Sequence, residues 1–341
     1  MDITTNTLSA VLGVWLYRLA AFGFRRALVR YVTPVNVLIG LAVYGGVIAL
    51  LTGYLLWSVG LSTWATGYPL TVGNENTDFR PWEGEVSQVT LLGRSVNQDE
   101  ATELLAGSLP ADMLASYHLE GPGPYPDQQG DLPALNWLPS SPTGMTDSSP
   151  VVVGANQWLG TIEAITPFNT QALDNSAFTI AGNFASLLEQ QRGPARIISV
   201  SADKGHRNIT MGQQGDALSI RLRTPSSGEN GEKPEMIISG FFALLQPHQI
   251  VLTYDMPNLT IWVDQPDNRY SVSLAPGLAL FQDFSQTNRW LVDFPANPHL
   301  YDYRYWSLAI IPALLAAVIL LALHDAEISR AEETTPQTVE D

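Results

Sequence analysis

The chain has 341 residues, 45% of them hydrophobic, a formal net charge of −16 and no cysteine, which allows one large domain or two ordinary ones. Without cysteine, disulfide staples, thiol nucleophiles and Cys-ligated zinc are excluded. The acidic balance argues against nucleic acid as a partner.

Residues 1–33 open the chain with "LSAVLGVWLYRLAAFGFRRALVRYV" (8–32). Helical spacing puts Arg18, Arg25, Arg26 and Arg30 roughly on one side, opposite Leu16, Leu19, Phe22, Leu28 and Tyr31, the pattern of an amphipathic helix lying in the cytoplasmic interface or packed on a partner protein. Residues 34–61, "PVNVLIGLAVYGGVIALLTGYLLWSVGL", carry no charge. The run is too long for a signal-peptide core of about 7–15 residues. It is read as a retained membrane helix within 34–67. A second apolar run, "WSLAIIPALLAAVILLAL", predicts another span over 305–323, with Pro312 tolerable if a neighbouring helix covers the freed carbonyl. Arginines before the first span, and none after it until Arg80, place the N-terminus in the cytoplasm by the positive-inside bias. Two crossings return the C-terminus there, so the expectation is a two-pass inner-membrane protein with residues 68–304 extracytoplasmic. Net charge is +3 before the first span, −14 in the outer region and −5 in the tail 324–341, whose low apolar content predicts disorder.

From 70 to 300 short alternating runs predominate. Strands are predicted at 85–92, 114–120, 178–184, 195–202, 207–213, 217–224, 235–242, 249–255, 259–265 and 269–275, separated by turn signals such as "SSGENGEK" and "DMPN". In the last hairpin Ile250, Leu252 and Tyr254 face one way, matched by Leu259, Ile261 and Val263. One helix is predicted, at "NQDEATELLAG", capped by Asn97 and ended by Gly107. The Pro/Gly-rich stretch 121–150 reads as a loop. Many short strands with little helical periodicity predict an all-β sandwich or barrel flanked by the two membrane helices.

"GPARIISVSADKGHRNITMGQQGDALSIRLRT" followed by "HQIVLTYDMPNLTIWVD" resembles the laminin-G-like, concanavalin A-type jelly roll over residues 193–265. Two further segments resemble parts of that fold in unexpected order. Residues 70–105 look like its last strand and short helix, and 114–123 like its first strand, as in a circular permutation. Similar permuted domains accompany bacterial VanZ-like membrane proteins. The resemblance implies an extracytoplasmic binding domain, often calcium-dependent. It places Trp82 in the core and a structural histidine at His248, and the chain departs from it in having Gln265 where a glycine follows Asp264.

Catalytic patterns are sparse. Glucanase jelly rolls carry E-x-D-x-x-E on one strand, and only Glu83 and Glu85 stand in step here. Histidines 118, 206, 248, 299 and 324 have no metal spacing, and no G-x-S-x-G is present. No enzyme activity is expected. No cofactor is expected either, apart from calcium as a candidate, which needs six to eight oxygens; Asp255 and Asp267, with Asp203, Asn208, Asp264 and Asn268, lie at predicted strand ends. For ligand contact the alternation turns Trp262 away from the core face, making Trp262, Asp264, Asp203 and Asn208 the candidate residues. The expected role is a non-catalytic, membrane-anchored module that recognises envelope glycan or protein. The alternative is an accessory subunit of a larger membrane complex, suggested by Gly40, Gly45 and Gly46, which permit close helix contact. The expected partners are the lipid bilayer with either other membrane proteins or glycan.

Overall fold

The computed structural model describes residues 32–139, 149–232, 235–274 and 316–321. The expected interfacial helix in 1–33, the passage 276–304 and the acidic tail lie outside them, as does all of the second apolar run but the helical residues 316–321.

Residues 54–274 of the described chain lie in one compact unit, a sandwich of two antiparallel sheets. Sheet I runs in the order β11 (Met236–Ile238), β10 (Ala217–Leu222), β9 (Arg207–Gly215), β8 (Gln191–Ser201), β1 (Leu70–Val72), β6 (Trp158–Thr161), β4 (Leu135–Leu138). Sheet II runs β14 (Gln265–Ser273), β13 (Asn258–Val263), β12 (Pro247–Asp255), β7 (Ala177–Ser186), β2 (Gly84–Leu92), β3 (Ala115–His118), with β5 (Val151–Val153) on the other end of β2. Each of the ten predicted strands has a counterpart.

Period-two alternation explains the core. In sheet I, Val72, Ile198, Met211 and Ile220 stand in one cross-strand row, and Leu70, Val200, Ile209 and Leu222 in another. All eight are buried. In sheet II the hairpin pairs Ile250 with Val263, Leu252 with Ile261 and Tyr254 with Leu259, and these six join the same cluster. A fully buried aliphatic side chain contributes about 1.5–3 kcal/mol.

Besides the helical residues 316–321, three helices have described bounds. α1 (Pro34–Val59) spans 26 residues without an acidic residue in its first turn or a basic one in its last. It ends well before residue 67, where the first membrane segment was expected to stop. Val59, Leu61 and Trp64 already belong to the sandwich core, and the Tyr254 hydroxyl donates to the Val59 carbonyl. Among the described residues, no helix is long and apolar enough to cross a membrane, so the two expected spans are not found there. α2 (Gln98–Leu105) has the expected capping box: Asn97 accepts from the Asp99 and Glu100 amides while Glu100 reaches back to the Asn97 amide. Gly107, at φ +83°, follows its end.

α3 (Thr166–Asn175) corrects the expectation of a single helix. Its N-cap, Ile165, makes no side-chain cap hydrogen bond, and proline stands in its first turn. Phe168 and Ala172 bury it against the core.

Candidate functional site

The outward face of sheet I is polar and yet covered. Thr71, Ser199, Thr210 and Arg221 form one cross-strand row, and Arg196, Gly212 and Ser219 another. Thr71, Arg196, Ser199, Thr210 and Ser219 are all buried. Segments 74–80 and 224–232, with Glu235, supply the contacts. Glu75 approaches Arg196, Glu229 lies 3.6 Å from Arg223, and Glu235 pairs with Arg221 at 3.0 Å. Among described residues 54–274 the lysines and arginines are residues 80, 94, 192, 196, 204, 207, 221, 223 and 269. All but Arg94 and Arg269 lie on β8–β10 or the segments adjoining them, so an acidic domain gathers its basic groups on one side.

Two of these cations are deeply buried. Arg196 is 3% exposed and Arg207 1%. Burial, then repulsion from Arg207, pulls the Arg196 guanidinium down to about 9, with Glu75 opposing. Burial, then Arg221, brings Arg207 down to about 10. Both stay cationic at neutral pH.

Beside this face lies an open cleft of about 430 Å³ lined by Phe79, Arg80, Pro81, Leu188, Gln190, Gln191 and Arg192, within the size range of small-ligand sites. Its floor is fixed by a buried amide network. The Gln213 Oε1 accepts from Trp82 Nε1 at 3.0 Å, Ser186 Oγ at 2.7 Å and Gln191 Nε2 at 3.0 Å. The Gln213 Nε2 donates to the carbonyls of Leu188, Glu189 and Gly215. Gln191 in turn holds the Glu83 backbone through its amide and carbonyl groups. Over this rigid floor stand two guanidiniums and an aromatic ring. Phe79 is about half exposed, with Arg80 Cζ 4.8 Å and Lys204 Nζ 5.1 Å from its centroid. The arrangement suits a ligand with a flat apolar face and an anionic group.

The sequence-predicted contact residues lie elsewhere. Trp262 does turn away from the inter-sheet core, but α2 covers it: it is 3% exposed and clusters with Leu92, Val96, Ala101, Leu104 and Leu105. It is therefore not an exposed contact residue in this conformation. Arg269 lies 5.5 Å from its ring, and its indole N–H has no partner. Asp264, at φ +60°, forms the left-handed turn between β13 and β14, a conformation in which aspartate is enriched. Its carboxylate accepts the Gln249 amide at 2.8 Å and meets His248 Nδ1 at 2.7 Å. Asp203 accepts the Gly205 and His206 amides at 2.7 and 3.0 Å and meets His206 Nδ1 at 2.9 Å. Asn208 is fully buried and binds Ala65 through both amide groups.

Asp203, Asn208 and Asp264 thus serve three separate local purposes. Asp255 sits in the hairpin opposite Asn258 and Asp267 lies exposed on β14. Among the described residues no group of three or more His, Asp or Glu side chains could hold a metal ion, so the calcium candidates do not converge there. Glu83 is exposed and Glu85 partly so. The signal that sequence reading missed is the density of basic residues over 192–223, six against two acids.

Comparison with family models, curated proteins and solved structures gave no match, and the functional reading rests on the side chains themselves.

Proposed function

We propose that this chain is a non-catalytic binding module anchored in a membrane through α1, recognising an anionic group on an envelope glycan or protein at the Phe79–Arg80–Arg192 cleft. The observation that carries the anchoring is the surface of α1. Its apolar side chains face outward, with Leu38 69%, Val43 62% and Leu50 77% exposed, and no Asp, Glu, Lys or Arg occurs in residues 34–61. A 26-residue helix is about 39 Å long, against roughly 30 Å of hydrocarbon. An exposed apolar surface of that extent marks a lipid or protein contact. The arginines at 18, 25, 26 and 30 favour a cytoplasmic N-terminus and an extracytoplasmic, laminin-G-like sandwich. The scattered carboxylates and histidines support binding without bond cleavage, with calcium retained only as a candidate.

A second reading, an accessory subunit of a membrane complex, is favoured by Gly40, Gly45 and Gly46. Nothing lies within 4 Å of a Cβ built at any of them, leaving room for another helix to approach closely.

One experiment separates the readings. The full chain in nanodiscs is applied to acidic and neutral glycans and to envelope protein fractions, as wild type and as Arg80→Ala/Arg192→Ala. Retention of acidic ligands that falls about tenfold or more in the double variant is expected, equivalent to about 1.4 kcal/mol. A chain that binds no ligand and migrates by native mass with other membrane proteins would support the subunit reading instead.

A further inference from the structure

The buried end of the basic face is undercompensated. Arg196 on β8 and Arg207 on β9 both feel one fully buried carboxylate, that of Glu75, while the more exposed Glu232 and Asp203 act on Arg207 more weakly. Its Oε2 is 4.0 Å from Arg196 Nε, too far for a hydrogen bond, while its Oε1 is occupied by the Thr77 hydroxyl at 2.6 Å. The neighbouring arginines have counter-charges of their own: Arg221 has Glu235 at 3.0 Å and Glu232 at 3.6 Å, and Arg223 has Glu229 at 3.6 Å. Arg196 gives Nη1 to the Pro194 carbonyl at 2.9 Å, and Arg207 gives Nη2 to the Lys204 carbonyl. Three buried guanidinium nitrogens remain without partners, Arg196 Nε, Arg207 Nε and Arg207 Nη1, and so does the Glu75 Oε2 beside them. Two buried guanidiniums against one fully buried carboxylate leave positive charge out of water that the exposed carboxylates meet only in part, which is costly unless an anion completes it.

We propose that Arg196 and Arg207 form a binding site for a small inorganic oxyanion of the sulfate or phosphate class, with the Glu75 carboxylate as its competitor at the edge. Water could accept the free N–H groups but would leave the charge standing. An oxyanion offers several acceptors with its charge, and guanidinium groups match it better than an ammonium would. The segments that carry Glu75 and Lys204 meet at the surface, where Lys204 stands over the half-exposed Phe79 ring, and Asn76 bonds the Ala202 carbonyl at 3.4 Å. An ion held between them would tie segment 74–80 to the β8–β9 turn, independently of whether the cleft binds a glycan.

The test is thermal unfolding of the full chain in detergent, with sulfate or phosphate added at low millimolar concentration and ionic strength held constant with chloride. Wild type is expected to show a saturable rise in Tm with the oxyanions. Arg207→Met should lose the saturable part. Glu75→Gln removes the competing charge, so it should melt lower than wild type in chloride, recover in sulfate or phosphate, and bind about tenfold more tightly. If Arg207→Met does not fold, the Glu75→Gln comparison decides alone. No saturable rise in wild type, with Glu75→Gln equally weakened in all three salts, would overturn the proposal. An unchanged rise in Arg207→Met would also overturn it, marking general salt exclusion from the surface.

Discussion

Asn208 offers the sharpest contrast between a contact residue and a structural one. Its Nδ2 donates to the Ala65 carbonyl at 2.8 Å and to Asn169 Oδ1 at 3.1 Å, and its Oδ1 accepts the Ala65 amide at 2.9 Å. Asn169 continues the clamp onto the Thr66 and Tyr68 carbonyls at 3.1 and 2.9 Å. Together they fasten the segment that leaves α1 and enters β1. In Asn208→Ala, the two bonds to partly exposed Ala65 are worth about 1 kcal/mol each and the stranded Asn169 carbonyl about 1–3 kcal/mol. The total is about 3–5 kcal/mol, a large share of a typical stability of about 5–15 kcal/mol. For a domain of this size it corresponds to a fall in Tm on the order of 10 °C. Asn208→Asp should also destabilise, because a carboxylate oxygen would replace the donor facing the Ala65 and Asn169 oxygens. Tryptophan fluorescence during thermal and urea unfolding of the full chain in detergent measures both variants. A fall below about 3 °C for Asn208→Ala, or lost ligand binding at unchanged Tm, would refute this reasoning and restore Asn208 as a contact residue.

Trp262→Ala should cost about 3–5 kcal/mol by emptying the cluster beneath α2, whereas Trp262→Phe should cost less than half as much, since it also removes an unpartnered indole N–H; urea midpoints check the pair. Val43→Arg, near the middle of α1, should reduce the carbonate-resistant membrane fraction, because arginine at a helix centre costs about 2.5–3.5 kcal/mol on insertion scales. The hydrogen bond and charge of Asp203 raise His206 above its ordinary 6.5, with Glu229 assisting. Stability from this pair is therefore fully present below pH 6.5 while Asp203, itself held below its ordinary range, stays ionised, and is lost as pH rises through the higher folded value of His206. An NMR titration should place His206 above its ordinary value in wild type and close to it in Asp203→Asn.

The sandwich was legible wherever a strand was long enough to show alternation. β12 and β13 keep the predicted face because every inward position is aliphatic or tyrosine, and a one-residue slip would expose all of them. β1, β4, β5 and β6 escaped because each has only three or four residues, whereas the equally short β3 and β11 lie inside longer alternating runs, 114–120 and 235–242, that made them visible. Three of the four that escaped also adjoin or interrupt proline- and glycine-rich sequence. α3 escaped for a different reason: "TPFNTQALDN" has low amphipathic contrast, and tertiary burial of Phe168, Asn169 and Ala172 holds it. The cap of α2, by contrast, was written in Asn97 and Glu100.

The candidate site was harder to read because alternation tells direction, not cover. Trp262 and Arg196 both point away from the inter-sheet core, as their strand positions dictate. A helix buries the first and loop segments bury the second, and neither covering is encoded in the strand that needs it. The acidic and amide residues at strand ends misled in a related way. Asp203, Asn208 and Asp264 have the chemistry of ligands, yet each directs its oxygens to backbone amides a few residues or one segment away, as short polar side chains do in turns. Once those groups are occupied and both sheet faces near them are covered, the groups left for the proposed ligand are side chains at the surface over a fixed base. Phe79, Arg80 and Arg192 meet that condition: Gln213 and Gln191 hold the neighbouring backbone, while Phe79 and Arg192 are exposed and Arg80 partly so. If the proposed cleft binds a ligand, substitutions at these three surface positions should alter that binding without disturbing the amide network beneath.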